Sequence, residues 1–313
     1  MAIVLGDNRY GKAETRVVRV VRDTDRHAIR DRNVSTALRG DFADAHETGD
    51  QAHVLPTDSQ KNTVFAYAAG HGAGSCEEYA VAVADRLLEA SPYATSAQVR
   101  VEEYAWDRIP VGDGESRHGH DHAFVRRGTE TRTCVVTLEG RDPDRRLHVL
   151  SGLTDLTVLK STGSEFKGFL TDRYTTLAET DDRILATSLT SWWRWPPGAV
   201  VSTSSAGGRD WDAAYDSVKA VLLETFATTY SRALQETLLL MGRAALEAQP
   251  DLAEIRFSAP NKHHFLVDLA PFGMDNPGEV FDADDRPYGL IEAQVRRDDA
   301  ADDAAAWRDV PGW

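Results

Sequence analysis

Two runs of alternating residues, then helical spacing, then more alternation: this order occurs once in the first half of the chain and again in the second. In the first half, Arg16 to Arg22 reads R-V-V-R-V-V-R, and Arg26 to Leu38 continues the alternation across turn residues Asp23 to Asp25. That pattern predicts a β-hairpin. Asn62 to Ala69 and Cys76 to Ala90 carry helical spacing, broken by the glycine-rich Gly70 to Gly74. Strand-like runs return at Val99 to Tyr104, His122 to Arg127 and Arg132 to Glu139. The second half repeats the order. Leu156 to Ser161 and Ile184 to Trp195 read as strands around a loop, and Ala213 to Ala248 is helical, with Val218, Leu222, Leu223, Leu234, Leu238 and Met241 apolar. Strands follow at Ile255 to Phe257, His264 to Leu269 and Leu290 to Val295.

Two successive ββααββ units form an internal repeat of topology rather than of obvious sequence identity. Each unit predicts an antiparallel sheet with helices on one face, an α+β class. Open sheets leave strand edges that need partners, so oligomerisation is expected. The expected divisions are residues 1–150, residues 151–297, and an acidic, alanine-rich, partly ordered tail over 298–313. Trp195 to Trp211 reads as a loop between strand and helix.

Composition removes several function classes. A net charge of −15 would repel a phosphate backbone, which argues against nucleic acid. No run approaches the roughly 18 uninterrupted apolar residues of a membrane helix. Met1 to Gly6 runs straight into charged, strand-like sequence, unlike a signal peptide, and Pro311-Gly312-Trp313 is not a peroxisomal address. A cytoplasmic location is the expectation. Two cysteines, Cys76 and Cys134, are too few for a disulfide framework or a zinc site and predict buried free thiols. The chain holds six lysines against twenty-nine arginines. An amine that must lose a proton cannot be replaced by arginine, so each retained lysine invites scrutiny.

Three short segments could carry chemistry. Tyr10-Gly11-Lys12 precedes the first strand, Pro56 to Thr63 opens the first helix, and Pro260-Asn261-Lys262-His263-His264-Phe265 turns into a late strand. Taken singly, Thr57 reads as an ordinary helix cap and His263 as a packed histidine.

Taken together they resemble the urate oxidase family, over about Leu5 to Arg297. The matching stretches are Y-G-K at Tyr10 to Lys12, T-D-S-Q-K-N-T at Thr57 to Thr63, and L-K-S-T-G-S-E-F-K-G-F at Leu159 to Phe169. D-R-Y-T-T-L at Asp172 to Leu177, D-R-I-L-A-T at Asp182 to Thr187, N-K-H-H-F-L-V-D-L at Asn261 to Leu269 and R-P-Y-G-L-I-E at Arg286 to Glu292 continue the order. The resemblance implies the tunnelling fold, in which two ββααββ modules per subunit close with others into a β-barrel tunnel in a homotetramer. It implies cofactor-free, metal-free oxidation of urate by dioxygen and water to 5-hydroxyisourate and hydrogen peroxide. By the same resemblance Phe166 stacks on the purine, Arg183 grips one edge bidentately, and Gln235 completes the clamp. The Leu234 main chain adds an amide; family members often have valine there. Thr57 and Asp58 reach the purine through main-chain amides from a neighbouring subunit, and Asn261 holds dioxygen or water. Lys12, Thr57 and His263 match the family's proton-relay triad. These roles suit urate, a planar anion with hydrogen-bonding edges, because an aromatic platform, a guanidinium and an amide can orient it. Lys61, Lys160 and Lys262 also fall in the motifs and read as mostly structural.

Other features tempt towards different chemistry. His118-Gly119-His120-Asp121-His122 could suggest a metal-dependent oxidase, because alternate residues of an extended segment point the same way. A solvated surface loop containing an insertion over Val111 to Gly119 is the plainer reading. Trp192-Trp193-Arg194-Trp195 should place half its side chains in the core and half at an interface. A pterin-handling enzyme of the same fold is an alternative, but such enzymes anchor the ring with a glutamate, some with zinc held by cysteine and histidine. A non-catalytic urate-binding protein is another, which the intact Lys12, Thr57 and His263 oppose.

Overall fold

The computed structural model describes residues 2–196 and 208–310. Strands β1 (Tyr10–Val21) and β2 (Ala28–Gly40) are followed by a short helix α1 (Ala43–Glu47), helices α2 (Thr57–His71) and α3 (Cys76–Ala90), and strands β3 (Ala94–Val111) and β4 (His118–Glu139). The second half runs β5 (Arg146–Lys160), β6 (Leu185–Arg194), α4 (Trp211–Thr228), α5 (Leu234–Ala248), β7 (Glu254–Leu266) and β8 (Phe281–Arg296), before a short α6 (Ala304–Trp307). The ββααββ order therefore recurs, in an α+β chain whose eight strands are ordered β1 to β8 in one sheet. The pairs β1/β2, β2/β3, β3/β4 and β7/β8 are antiparallel.

Some strands are longer than their sequence patterns. His122 to Arg127 and Arg132 to Glu139 belong to the single strand β4, and the patterns at Ile255 and His264 merge in β7. The reason is irregular pairing. Register shifts fall between Tyr104 and Trp106 on β3 and between Asn261 and His263 on β7. A bulge resets the alternation without ending the strand, so one strand reads as two.

The described residues form two compact units, one drawn from Met1–Gly152, Arg194–Tyr215 and Ala301–Trp313, the other from Leu153–Trp193 and Asp216–Ala300. In the first, the period-two pattern builds aligned cross-strand rows. Val34 faces Val101, which faces Cys134; Thr36, Val99 and Val136 form the next row; Leu38, Ala97 and Leu138 the third. All nine are buried, giving one continuous inner face. Helix α2 presents Gln60, Val64 and Ala68, four residues apart, as its buried positions. Helix α3 starts at a capping box in which Ser75 Oγ accepts the Glu78 N–H at 3.2 Å and the Glu78 carboxylate accepts the Ser75 N–H at 3.0 Å. Tyr79 ties the two helices together by donating its hydroxyl to the Val64 carbonyl at 2.6 Å. Cys76 and Cys134 are free and fully buried, as their number suggested.

In the second unit, α5 buries Leu238, Met241, Gly242 and Ala245. A Cβ on Gly242 would lie 2.5 Å from Val295 Cγ2, so only glycine lets the helix approach β8 this closely.

One expectation needs correction. Trp192, Trp193, Arg194 and Trp195 are all at most 2% exposed, so the alternation does not divide them between core and interface: β6 is a strand buried on both faces. The described part of the acidic tail packs on the first unit around one short helix. Ala306, Trp307 and Val310 are buried in the first unit, and Asp303 accepts the Ala306 N–H at 3.2 Å and a hydrogen bond from His148 Nδ1 at 2.8 Å. Most of the loop expected over Trp195 to Trp211, and Pro311 to Trp313, lie outside the described residues. Among those described, no helix is long and apolar enough to cross a membrane.

Candidate active site

In the second unit, the chain between β5 and β6 is held by two isolated bridges rather than by a ladder. Phe166 pairs with Thr180, exchanging backbone hydrogen bonds of 2.9 and 3.0 Å, and Ser164 pairs in parallel with Ser231. Ser164 is also the anchor of Arg183. The Arg183 N–H donates to the Ser164 carbonyl at 2.8 Å, and its Nε donates to Ser164 Oγ at 3.3 Å. The guanidinium carbon lies 5.3 Å from the centroid of the Phe166 ring, within cation–π range. Phe169 stacks on Phe166 at 5.0 Å.

Arg183 is half-buried, and burial lowers its pKa because nothing nearby offsets the desolvation. A guanidinium nevertheless stays charged at any working pH. Among the described residues it makes no ion pair. Part of its charge is removed from water without an acid to match it, which favours an incoming anion.

Helix α5 supplies the opposite wall. Leu234 and Gln235 are its first two residues, and the N-cap, Ala233, has no side-chain acceptor to offer. Thr237 is the first residue whose N–H bonds back within the helix, to the Ala233 carbonyl at 3.2 Å. The N–H groups ahead of it are the unpaired donors of a helix start, at its positive end. Asn261 and His263 come from β7, on either side of its register shift, and His263 stacks on Phe265 at 5.8 Å. Phe166, Arg183, Leu234, Gln235, Asn261 and His263 all line one cavity of about 240 Å³. An aromatic platform, an unmatched guanidinium, free helix amides and an imidazole thus converge on a space suited to a flat anion.

Lys12, Thr57 and Asp58 lie in the first unit. Lys12 stands on β1 opposite Thr36, and its N–H donates to Thr36 Oγ1 at 3.4 Å. Thr36 in turn donates to the buried Gln60 at 2.8 Å, so β1 is tied to the first turns of α2. The preceding glycine is required: a Cβ on Gly11 would come within 1.8 Å of the Thr36 carbonyl oxygen. Tyr10 adds a second tie by accepting the Leu55 N–H at 2.9 Å, which fixes the approach to α2. Thr57 and Asp58 are the first two residues of that helix, and the N-cap is Pro56. Thr57 is thus not the cap, and among the described residues its hydroxyl makes no hydrogen bond. The Asp58 carboxylate is engaged by Lys61 Nζ at 2.6 Å and Asn62 Nδ2 at 2.9 Å. The hydrogen bond and charge of Lys61, with a contribution from the charge of Lys12, hold its pKa below the ordinary carboxylate value.

The structure therefore gathers the nine predicted residues into two sets, six around one cavity and three at the β1/α2 junction. It also adds residues that the sequence reading passed over. Ser164, Ser231 and Thr237 are fully buried behind the Arg183 segment and the start of α5. Ser164 stands inside the Leu159 to Phe169 motif, but a serine in a motif carries no sign of what it bonds. Lys61 and Lys160 are both engaged within the fold: Lys61 binds Asp58, and Lys160 Nζ donates to the Thr229 carbonyl at 2.5 Å. Lys262 instead lines the cavity.

The histidine run is strand rather than loop. His118, His120 and His122 lie on β4, beyond a hairpin tip with a 3-10 turn at Gly114–Ser116. His120 and His122 meet edge to face at 4.5 Å. Among the described residues, no group of three or more histidine, cysteine or acidic side chains is arranged to hold a metal.

Known proteins similar to this chain in sequence and architecture point to one family. A family model described as Uricase matches residues 8–137 and 149–292. A uricase from Arthrobacter globiformis is 48% identical over 311 residues, covering 99% of this chain and 96% of that protein. A uricase from Dictyostelium discoideum is 34% identical, with 93% and 96% covered. The crystal structure of the Arthrobacter globiformis uricase superposes with a TM-score of 0.87, at 48% identity, over 98% of this chain and 99% of the other. A uricase structure from a Bacillus species, 24% identical, shares the fold with a TM-score of 0.80 over 93% and 94% of the two chains. The protein characterised by this sequence and fold belongs to the uricase family.

Proposed function

We propose that this enzyme oxidises urate with dioxygen and water to 5-hydroxyisourate and hydrogen peroxide, without a cofactor. The observation that carries the reading is the convergence of Phe166, Arg183 and the start of α5 on one cavity. Phe166 stacks on the purine, Arg183 takes one edge through two parallel N–H bonds, and Gln235 with the Leu234 N–H takes another. Asn261 holds dioxygen or water beside the ring. The reaction balances without an outside reductant. Urate gives up two electrons and gains one hydroxyl from water, and dioxygen takes the electrons with two protons to become peroxide. What the protein supplies is position and proton transfer. Lys12, Thr57 and His263 form the relay: the threonine hydroxyl passes protons, the lysine amine accepts and returns them, and the histidine links onward.

We further propose a homotetramer of the tunnelling type, with each subunit contributing two ββααββ modules. Lys12, Thr57 and Asp58 from one subunit then complete the cavity of its neighbour. Two features support this. Strands β1 and β8 end the sheet order, and such edges ask for partners. Phe265, Leu266, Tyr288 and Leu290 on β7 and β8 are each at least half exposed, an apolar surface suited to burial in an assembly. The Asp58 carboxylate is already bonded to Lys61 and Asn62, which leaves its main-chain amide as the group to offer. A cytoplasmic location belongs to the same proposal.

The test is to follow urate absorbance near its ultraviolet maximum in air-saturated buffer containing a chelator, with a peroxide assay alongside. Loss of urate with stoichiometric peroxide is expected. A folded enzyme that binds urate without consuming it would be a binding protein, and one that does not bind urate would return the pterin alternative.

A further inference from the structure

We infer that Ser164, Ser231 and Thr237 are positioning residues that lock the two jaws of the substrate clamp to each other. The inference rests on the clamp reading above and concerns residues that do not line the cavity. The connection is continuous in the second unit. Arg183 is fixed twice by Ser164, through the backbone at 2.8 Å and through Nε at 3.3 Å. Ser164 forms the parallel bridge to Ser231, flanked by the Glu165 N–H donating to the Ser231 carbonyl at 2.9 Å and the Ser231 N–H donating to the Gly163 carbonyl at 3.0 Å. The Ser231 hydroxyl then accepts from Thr237 Oγ1 at 2.8 Å. Thr237 lies on the first turn of α5, one turn into the helix whose start carries Leu234 and Gln235.

The residue types suit this task. All three side chains are completely buried, where an unpaired hydroxyl is costly and a paired one holds its geometry. A guanidinium can rotate about its last bonds, and its two in-plane donors match a purine edge in only one orientation. Ser164 Oγ removes that freedom by occupying Nε, which leaves the two terminal nitrogens for the ligand. The Ser231–Thr237 pair acts on the other jaw. It pins the start of α5 to the same bridge, so the Arg183 side and the Gln235 side keep a fixed separation. Clamping needs that separation held to a fraction of an ångström, and hydroxyls buried behind the cavity can hold it without touching substrate.

The test uses the full-length enzyme and urate itself, with binding measured under nitrogen so that no turnover occurs. Ser164→Ala is expected to raise the anaerobic urate Kd about tenfold, the loss of one fixed hydrogen bond to a charged group. Thr237→Val, matched in shape, should also weaken binding, whereas Thr237→Ser keeps the hydroxyl and should restore it. KM should rise with Kd in the weakened variants, while kcat changes less. A merely structural role would lower the melting temperature without this pattern. Coupling provides the sharper readout. On an Arg183→Lys background, which has no Nε for Ser164 to hold, Ser164→Ala should add no further loss. Should Ser164→Ala fail to fold, Ser164→Cys keeps the volume with a weaker acceptor and takes its place. If Arg183→Lys weakens binding but the Ser164 and Thr237 variants bind urate like the parent, the locking role is wrong and the clamp stands. If Arg183→Lys itself binds like the parent, the clamp reading falls and this inference falls with it.

Discussion

Replacing Glu77 by glutamine should destabilise the enzyme more than almost any change of comparable size. Glu77 is fully buried at the second position of α3. It accepts hydrogen bonds from Arg132 Nη2 at 2.7 Å, Ser151 Oγ at 2.6 Å and the Cys76 thiol at 3.2 Å. Trp195 Nε1 donates to the same Ser151 hydroxyl at 3.0 Å, so the carboxylate sits at the centre of a buried polar cluster. Glutamine keeps the shape but turns one acceptor into a donor. Turned toward Arg132, the amide faces it with hydrogen against hydrogen; turned toward Ser151, it makes that hydroxyl accept instead of donate and leaves Arg132 a neutral carbonyl in place of a carboxylate. Arg132 retains one acid, Asp212 Oδ1 at 2.5 Å, so its charge is halved in compensation rather than abandoned. Breaking a buried pair outright costs about 3–5 kcal/mol, and the surviving Asp212 contact places this case near the lower end, about 3 kcal/mol. Set against a whole stability of roughly 5–15 kcal/mol, that is a large fraction. Urea unfolding at fixed protein concentration, followed by circular dichroism, should show the midpoint fall. Replacing both partners, Glu77→Leu with Arg132→Met, should cost less than the two single changes added together. Unchanged unfolding for Glu77→Gln would refute the idea that this cluster needs its negative charge.

Three further outcomes follow from the site and its surroundings. Lys12→Met should leave anaerobic urate binding near the parent value while kcat falls by about a hundredfold or more, the usual share of a proton-transfer group; turnover unchanged in a stopped-flow assay would remove Lys12 from the relay. Changing His118, His120 and His122 together to glutamine, with dialysis against chelator, should leave urate turnover intact, and a large loss would revive the metal-dependent reading. Acid stability should show Asp212: burial alone would push its carboxyl up, but Arg132 and Arg30 outweigh this and hold it below the ordinary value of 3.8. A group with a depressed folded pKa stabilises fully above its unfolded pKa and loses that contribution as the pH falls through the folded one. Asp212→Asn should therefore lower stability at neutral pH and flatten its fall below that ordinary value, and an unaltered acid unfolding curve would contradict this.

Much of the fold could be read from the residues because its inner faces obey simple periods. Val34, Thr36 and Leu38 alternate on β2, and their partners on β3 and β4 alternate in step, so period two was enough to find the hairpin and its neighbours. Reading failed where pairing is irregular or burial is two-sided. The bulges near Tyr104 and Asn261 broke single strands into apparent pairs. Trp192, Trp193 and Trp195 alternate in direction but not in burial, and no local pattern reveals that a strand is covered on both sides. The anchor of the partly ordered tail is hidden for a related reason: its acids look solvated, yet Asp303 is held by His148, a residue 155 positions away.

The site was legible at a different level. Phe166, Arg183 and His263 could be named because they stand in motifs, yet each was ambiguous alone, and only the fold brings them to one cavity. The residues missed are those whose role is to hold others. Ser164 sits two positions before Phe166, but the partner that gives it meaning is Arg183, 19 positions on, and Thr237 matters through Ser231. A side chain that contacts substrate must have a particular chemistry, which leaves a mark in the choice of residue. One that fixes another side chain needs only a hydroxyl at the right distance, and serine and threonine are common enough to hide it. The supporting layer of a clamp is therefore invisible to residue type and becomes apparent only as a chain of buried hydrogen bonds leading away from the cavity.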